Sequence, residues 1–221
     1  MKKFLSLLMV TSMLIYGQAC SVQSGLAGLS PQKALNGVQS LLGLASGGAL
    51  KGIGKNMLTN AVVGAVMPPE LKAITGALGG SEAGQAALGV INNVIGSAAP
   101  NLAKGVLDGA LKNIPAAQAL DILKGGENGA TNFLKNAVGS KLNDALLPAM
   151  TKSLGNAGIG DLVSSALGSQ AGALLGGNKP SIESLLTTAT SSGIFGLMGE
   201  AEKAERANPT NDLLKEIFSG K

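Results

Sequence analysis

The stretch Leu102-Ala103-Lys104-Gly105-Val106-Leu107-Asp108-Gly109-Ala110-Leu111 decides the fold class. Its apolar residues Leu102, Val106, Leu107, Ala110 and Leu111 recur at spacings of three and four, which is the period of one face of a helix. Most segments between turn signals repeat that pattern. Alternating β-branched runs of strand length are hard to find. The best of them, Ala61 to Val66, carries Ala and Gly that suit a buried helix equally well. The reading is an all-α chain, a single multi-helix domain.

The punctuation agrees. Ser30-Pro31 pairs an N-cap residue with proline at the first helical position. Pro68-Pro69-Glu70 ends one element and starts another, Pro115 opens the next, and Gly125-Gly126 closes it. Further starts are expected at Pro180-Ser181 and at Asn208-Pro209, with Gly220 ending the last helix. Gly76, Gly79, Gly80 and Gly84 flank Ser81-Glu82 as an inter-helix connection. Helices of ordinary length then number about eight to ten.

Glycine is abundant, at 33 residues, and inside a helix each costs about 1 kcal/mol relative to Ala. In the Gly/Ala-rich segment 158–178, small residues recur every fourth position at Gly160, Ser164, Gly168, Gly172 and Gly176. On one helix they would form a narrow stripe that permits close helix approach. Residues 162–178 carry no charge, yet their serines, Gln170 and glycines make a bilayer span the weaker reading, and the stretch is short for one. A tightly packed helix pair or a Gly-rich hairpin is favoured.

At the front of the chain, Lys2 and Lys3 precede an uncharged apolar run over residues 4–16, and Gly17-Gln18-Ala19 places small residues at a cleavage position. Together these are an export signal, too short for the ~20 residues of a permanent span. Cys20, the only cysteine, follows directly. The segment looks like a bacterial lipoprotein signal, in which that cysteine is acylated. Gly17 stands where such signals usually carry Leu, so ordinary cleavage after Ala19 is the alternative. The expected organisation is a signal peptide over 1–19, a flexible tether over 20–29 and an all-helical domain over 30–221. With a single cysteine no intramolecular disulfide can form.

Charge and composition narrow the functions further. Of 17 Lys and Arg against 13 Asp and Glu, Lys2 and Lys3 belong to the signal, so the mature chain is nearly neutral. Its basic residues stand singly, and two of its five aromatics, Phe4 and Tyr16, leave with the signal. Neither a phosphate-neutralising stripe nor a stacking platform results, which disfavours nucleic acid as a partner. The chain has no His, the commonest general base and metal ligand. Asp108, Asp121, Glu127, Asp144 and Asp161 are far apart in sequence, and neither a calcium loop nor a phosphate loop occurs. No enzyme activity, cofactor or metal is expected. Glu200, Glu202 and Glu205 lie beside Lys203 and Arg206; Glu202 and Arg206 are four apart and can pair, and the group reads as a solvated helical face.

Four spaced motifs run in order along the chain. They are Gly28-Leu29-Ser30 with the helix after it, then Met67-Pro68-Pro69-Glu70-Leu71, then Ala119-Leu120-Asp121-Ile122-Leu123-Lys124-Gly125-Gly126-Glu127-Asn128-Gly129-Ala130-Thr131. The last is the C-terminal run containing Gly193-Ile194-Phe195, Gly199-Glu200-Ala201-Glu202-Lys203-Ala204-Glu205-Arg206-Ala207-Asn208-Pro209 and Asn211-Asp212-Leu213-Leu214-Lys215-Glu216-Ile217-Phe218. In these motifs the chain resembles the exported bacterial proteins of Domain of Unknown Function 4197. It departs from them by having less charge and more Gly and Ala, most strongly over 160–179. The resemblance implies an all-helical secreted or lipid-anchored protein and brings no catalytic residues.

From the residues themselves, Ala116 to Lys124 reads as a helix with Ala119, Leu120 and Leu123 on one face, ended by glycines. Thr131 and Phe133 fall in the next helix. Asp121, Glu127 and Thr131 form the candidate functional polar cluster, against the simpler reading that they cap and connect two helices. The leading expectation is an exported, lipid-anchored, non-enzymatic envelope protein that touches the membrane surface through Cys20 and binds an apolar ligand between its helices. A structural protein that docks an envelope partner or itself through small-residue faces is the alternative. An enzyme working through Asp121 and Glu127 in one cleft comes third.

Overall fold

A computed structural model describes residues 26, 28–53, 57–176 and 180–219. The expected signal over 1–19, Cys20 and the first part of the tether lie outside the described residues. The protein is all-α. Among the described residues the ten α-helices are α1 (Pro31–Ile53), α2 (Ala61–Val66), α3 (Pro69–Gly79), α4 (Glu82–Lys112), α5 (Ala116–Lys124), α6 (Gly129–Asn156), α7 (Ile159–Leu167), α8 (Ala171–Leu175), α9 (Ile182–Ala207) and α10 (Asp212–Ser219). One 3-10 turn, Met57–Thr59, precedes α2, and another, Gly168–Gln170, separates α7 from α8.

The four long helices form a ring: α1 packs on α4 and α9, and α6 packs on the same two. Each turns a narrow apolar stripe inward. In α4 the buried residues are Gly84, Ala87, Ile91, Ile95, Ala99, Ala103 and Leu107, every fourth residue from Ala87 onward. In α6 they are Leu134, Val138, Leu142, Leu146, Met150 and Leu154 after Ala130 and Thr131. Helix α9 differs, with thirteen buried residues over several faces, because α2 and α10 cover it as well as α1 and α6. The buried face of α4 is centred on Ala103 and Leu107; Leu102, Val106, Ala110 and Leu111 flank it half-buried.

Capping explains most boundaries. The Ser30 hydroxyl accepts from the Lys33 N–H at the start of α1 (3.3 Å), Ser81 from Gly84 at the start of α4 (3.0 Å) and Ser181 from Ser184 at the start of α9 (3.2 Å). The Asn60 carboxamide oxygen caps α2 by accepting from Val62 and Val63, so the segment that was the best strand candidate is helical. Two expectations fail. Pro209 does not begin the last helix: the Glu205 carboxylate holds the Thr210 N–H and hydroxyl in an intervening bend, and Asn211 caps α10 through the Leu213 N–H. The small-residue stripe also breaks, because Gly168 takes φ +51° and ends α7 there. Ile159, Val163 and Leu167 turn inward, while Gly160, Ser164, Gly168 and Gly172 are exposed. The Gly/Ala-rich segment is helical as expected, but as two short helices, α7 and α8, joined through Gly168–Gln170 rather than one continuous stripe.

Leu26 and Leu29, assigned to the tether from sequence, pack on the core. Among the described residues, no helix is long and apolar enough to cross a membrane, and no group of His, Cys, Asp and Glu could hold a metal ion.

Candidate functional site

The central and C-terminal motifs meet in space. Helix α5 ends at Lys124, Gly126 takes φ +81° to turn the chain, and α6 starts at Gly129. Helix α9 runs antiparallel to α6 and brings Glu202 to the start of α6 and Phe195 to Gly139. Glu202 is fully buried, and its carboxylate accepts the Ala130 N–H at 2.9 Å and the Thr131 N–H at 2.6 Å. These are orphan donors of the first turn of α6, and Asn128 makes no side-chain cap there. Glu202 supplies the cap from another helix, with its negative charge at the positive end of the helix dipole.

Arg206, one turn on, completes the arrangement. Its Nε donates to Glu202 at 2.8 Å, and its guanidinium donates to the Leu123 carbonyl at 2.7 Å and the Ile122 carbonyl at 3.4 Å. Those carbonyls belong to the last turn of α5, where Ile122 also accepts the Gly125 N–H at 3.2 Å as the helix ends. The Phe218 ring of α10 lies 5.0 Å from the guanidinium carbon, within cation–π range. One buried ion pair thus joins the end of α5, the start of α6, α9 and α10. The expectation of a solvated face at Glu202 and Arg206 is overturned: Glu202 is 0 % exposed and the Arg206 side chain 10 %.

The candidate polar cluster separates. Asp121 is exposed on α5, beside an open cleft lined by Gln118, Ile122 and Phe133. Glu127 is exposed in the turn and pairs with Lys203 at 2.9 Å, which raises the Lys203 pKa first through the hydrogen bond and then through charge. Thr131 is buried at 2 % exposure, and its hydroxyl has no hydrogen-bond partner. With its amide nitrogen facing oxygen, Asn128 donates to the Gly199 carbonyl at 2.8 Å.

Thr131 lines a cleft of about 550 Å3 between α2, the start of α6 and the middle of α9. The volume falls inside the ~300–1,000 Å3 of small-molecule sites. Val62, Val66 and Phe195 give it apolar walls, and Asn132 and Ser192 add polar groups. Lys135 and Glu200 also line it, neither in an ion pair. Its base depends on glycine: a Cβ at Gly196 would come within 3.2 Å of Val62, and one at Gly193 within 3.0 Å of Val63. Side chains there would require Val62 and Val63 of α2 to give by a few tenths of an ångström.

The sequence reading missed Glu202 and Arg206 as interior groups and Lys135, Phe195 and Glu200 as cleft residues. A signal existed for Glu202. It continues the Ile194, Met198 repeat of buried α9 positions by one more step of four.

The family model described as "Protein of unknown function (DUF4197)" matches residues 28–219, which is most of the chain. No curated protein and no solved structure matches it.

Proposed function

The chain belongs to the family of proteins of unknown function DUF4197, and on that premise we propose an exported, lipid-anchored, non-enzymatic envelope protein whose helical body binds a small amphiphilic molecule in the α2–α6–α9 cleft. Thr131 lines the cleft and its buried hydroxyl has no hydrogen-bond partner, and these two observations carry this reading. A hydroxyl left without a partner in the interior costs about 1–3 kcal/mol. A ligand whose polar end bonds it and whose apolar part lies on Val62, Val66 and Phe195 recovers that cost and covers exposed apolar surface.

The apolar run over 4–16 and the small residues before Cys20 support export and a lipid tether. The absence of His and the exposure of both Asp121 and Glu127 support a binding role over catalysis. The docking alternative loses its continuous face, since α7 ends at Gly168.

Native mass spectrometry of the full chain purified from its own envelope tests the binding reading. The wild type retains an amphiphile, and Thr131→Val, which keeps the shape and removes the hydroxyl, retains at least about tenfold less while melting no lower. Equal retention by both, or none by either, refutes the site. The mass of the mature N-terminal peptide tests the tether: it is expected to carry acyl chains on Cys20, and an unmodified Cys20 refutes anchoring.

A further inference from the structure

A second cleft lies across α2 from the first. It holds about 480 Å3 between the Met57–Thr59 turn, α2, α3 and α4. The two sites share no lining residue, because Ala61, Val62, Ala65 and Val66 face one and Gly64 and Met67 the other.

Leu58, Met67 and Leu88 give this cleft an apolar wall, and the Asn92 carboxamide oxygen fixes the turn beneath it by accepting the Leu58 N–H at 3.1 Å. Lys72 is the single charged residue on the lining and belongs to no ion pair. Its aliphatic stem can lie along the apolar wall with the ammonium at the rim. Gly76 also lines the cleft, and a Cβ there would meet no protein atom within 4 Å. An apolar trough with one unpaired ammonium has the chemistry of a single-chain amphiphile with one negative charge. Its volume sits in the lower part of the range for ligand sites, which suits one chain.

We propose that this cleft binds a linear fatty acid as its carboxylate, with the chain on Leu58, Met67 and Leu88 and the carboxylate paired with Lys72. This site is independent of the Thr131 cleft.

Isothermal titration of the full chain with dodecanoate, below its micelle concentration, tests the proposal. Wild type binds, and in Thr131→Val, whose first cleft no longer holds an alcohol, dodecanol binds at least about tenfold more weakly than dodecanoate, the scale of one charge-assisted hydrogen bond. Lys72→Gln reduces dodecanoate affinity to the level of dodecanol. Gly76→Met fills the trough and abolishes binding, and its melting temperature does not fall because its Cβ meets nothing in the protein. Gly105→Met, at an open position of α4 about four turns beyond the cleft residues, binds as wild type does. Wild-type chain that takes up no dodecanoate overturns the proposal, as does full affinity in Gly76→Met or Lys72→Gln. Loss of dodecanoate binding in Thr131→Val would place the ligand in the first cleft and overturn it too. Lys72-dependent binding to phosphatidylglycerol vesicles without dodecanoate binding would assign Lys72 to a lipid surface and also overturn it.

Discussion

Replacing Glu202 by Ala should be among the most damaging single changes in this protein. It removes the acceptor of the Ala130 and Thr131 N–H groups and the anionic partner of Arg206, all at a fully buried position. Each buried donor left open costs about 1–3 kcal/mol, and breaking a buried ion pair from one side costs about 3–5 kcal/mol. These overlap, because Arg206 keeps the Leu123 and Ile122 carbonyls and the Phe218 face. A loss of about 4 kcal/mol is expected, which lowers Tm by roughly 8–16 °C for a domain of this size. Urea unfolding at constant m and thermal melts by circular dichroism measure it. A loss below about 1 kcal/mol would contradict the burial and bonding of Glu202.

The double variant Glu202→Leu, Arg206→Met separates two accounts of that loss. If the pair mattered only as two charges, apolar replacements of similar size would be neutral or stabilising. As a double helix cap it holds four backbone groups, the N–H of Ala130 and Thr131 and the carbonyls of Ile122 and Leu123. All but the Ile122 carbonyl, which keeps the Gly125 N–H, remain open in the double variant, so it should still be destabilised by about 2 kcal/mol or more. A double variant that melts at or above the wild type refutes the capping role.

Other consequences are sharp enough to measure. A Cβ at Gly84 would overlap the backbone carbonyl of Leu78, so Gly84→Ala should lose about 1–3 kcal/mol, and an unchanged melt would refute the close approach of α3 and α4. At Gly89 a Cβ meets nothing, so Gly89→Ala should gain up to about 1 kcal/mol in the same melt, and a loss would deny that open space. The raised pKa of Lys203 means its pairing with Glu127 is fully present below the ordinary lysine value and is lost as pH rises through the raised one. NMR titration of Lys203 in Glu127→Gln should return it toward the ordinary value, and an unmoved titration would refute the pairing.

Much of the fold was legible because its signals are local. Ser30-Pro31, Pro68-Pro69, Pro115 and Ser181 mark helix starts through caps and fixed φ, and these operate without the rest of the protein. The failures are tertiary. Whether Asn208-Pro209 starts a helix is settled by the Glu205 carboxylate, which takes the Thr210 N–H and hydroxyl into a bend. The four-residue stripe from Gly160 has helical periodicity in sequence, yet Gly168 turns to positive φ and the repeat never shares one face. At the site, Thr131 was picked out as polar and interesting, while Asp121 and Glu127 proved exposed. Glu202 read as surface because a carboxylate in a run of Glu and Lys normally is. The start of α6, far away in sequence, together with Arg206 makes its burial tolerable.

That cap bears on which ligand each cleft can accept. A helix start with open N–H groups attracts anions, and α6 begins at the wall of the first cleft. Its second and third N–H groups are already committed to Glu202, and Glu200 adds another carboxylate to the lining. An anionic group there would find the helix end already neutralised, with Lys135 as the one positive side chain on the lining. The Thr131 hydroxyl has no partner, and on the proposed reading a neutral polar group would bond it without a charge to balance. Across α2 the second cleft has the opposite character, an ammonium at Lys72 and no carboxylate on its lining. The same six-residue helix thus separates a site suited to a neutral polar end from one suited to a carboxylate. Dodecanol and dodecanoate should accordingly divide between them, with Thr131→Val affecting only the alcohol and Lys72→Gln only the acid; competition between the two for a single site would refute the division.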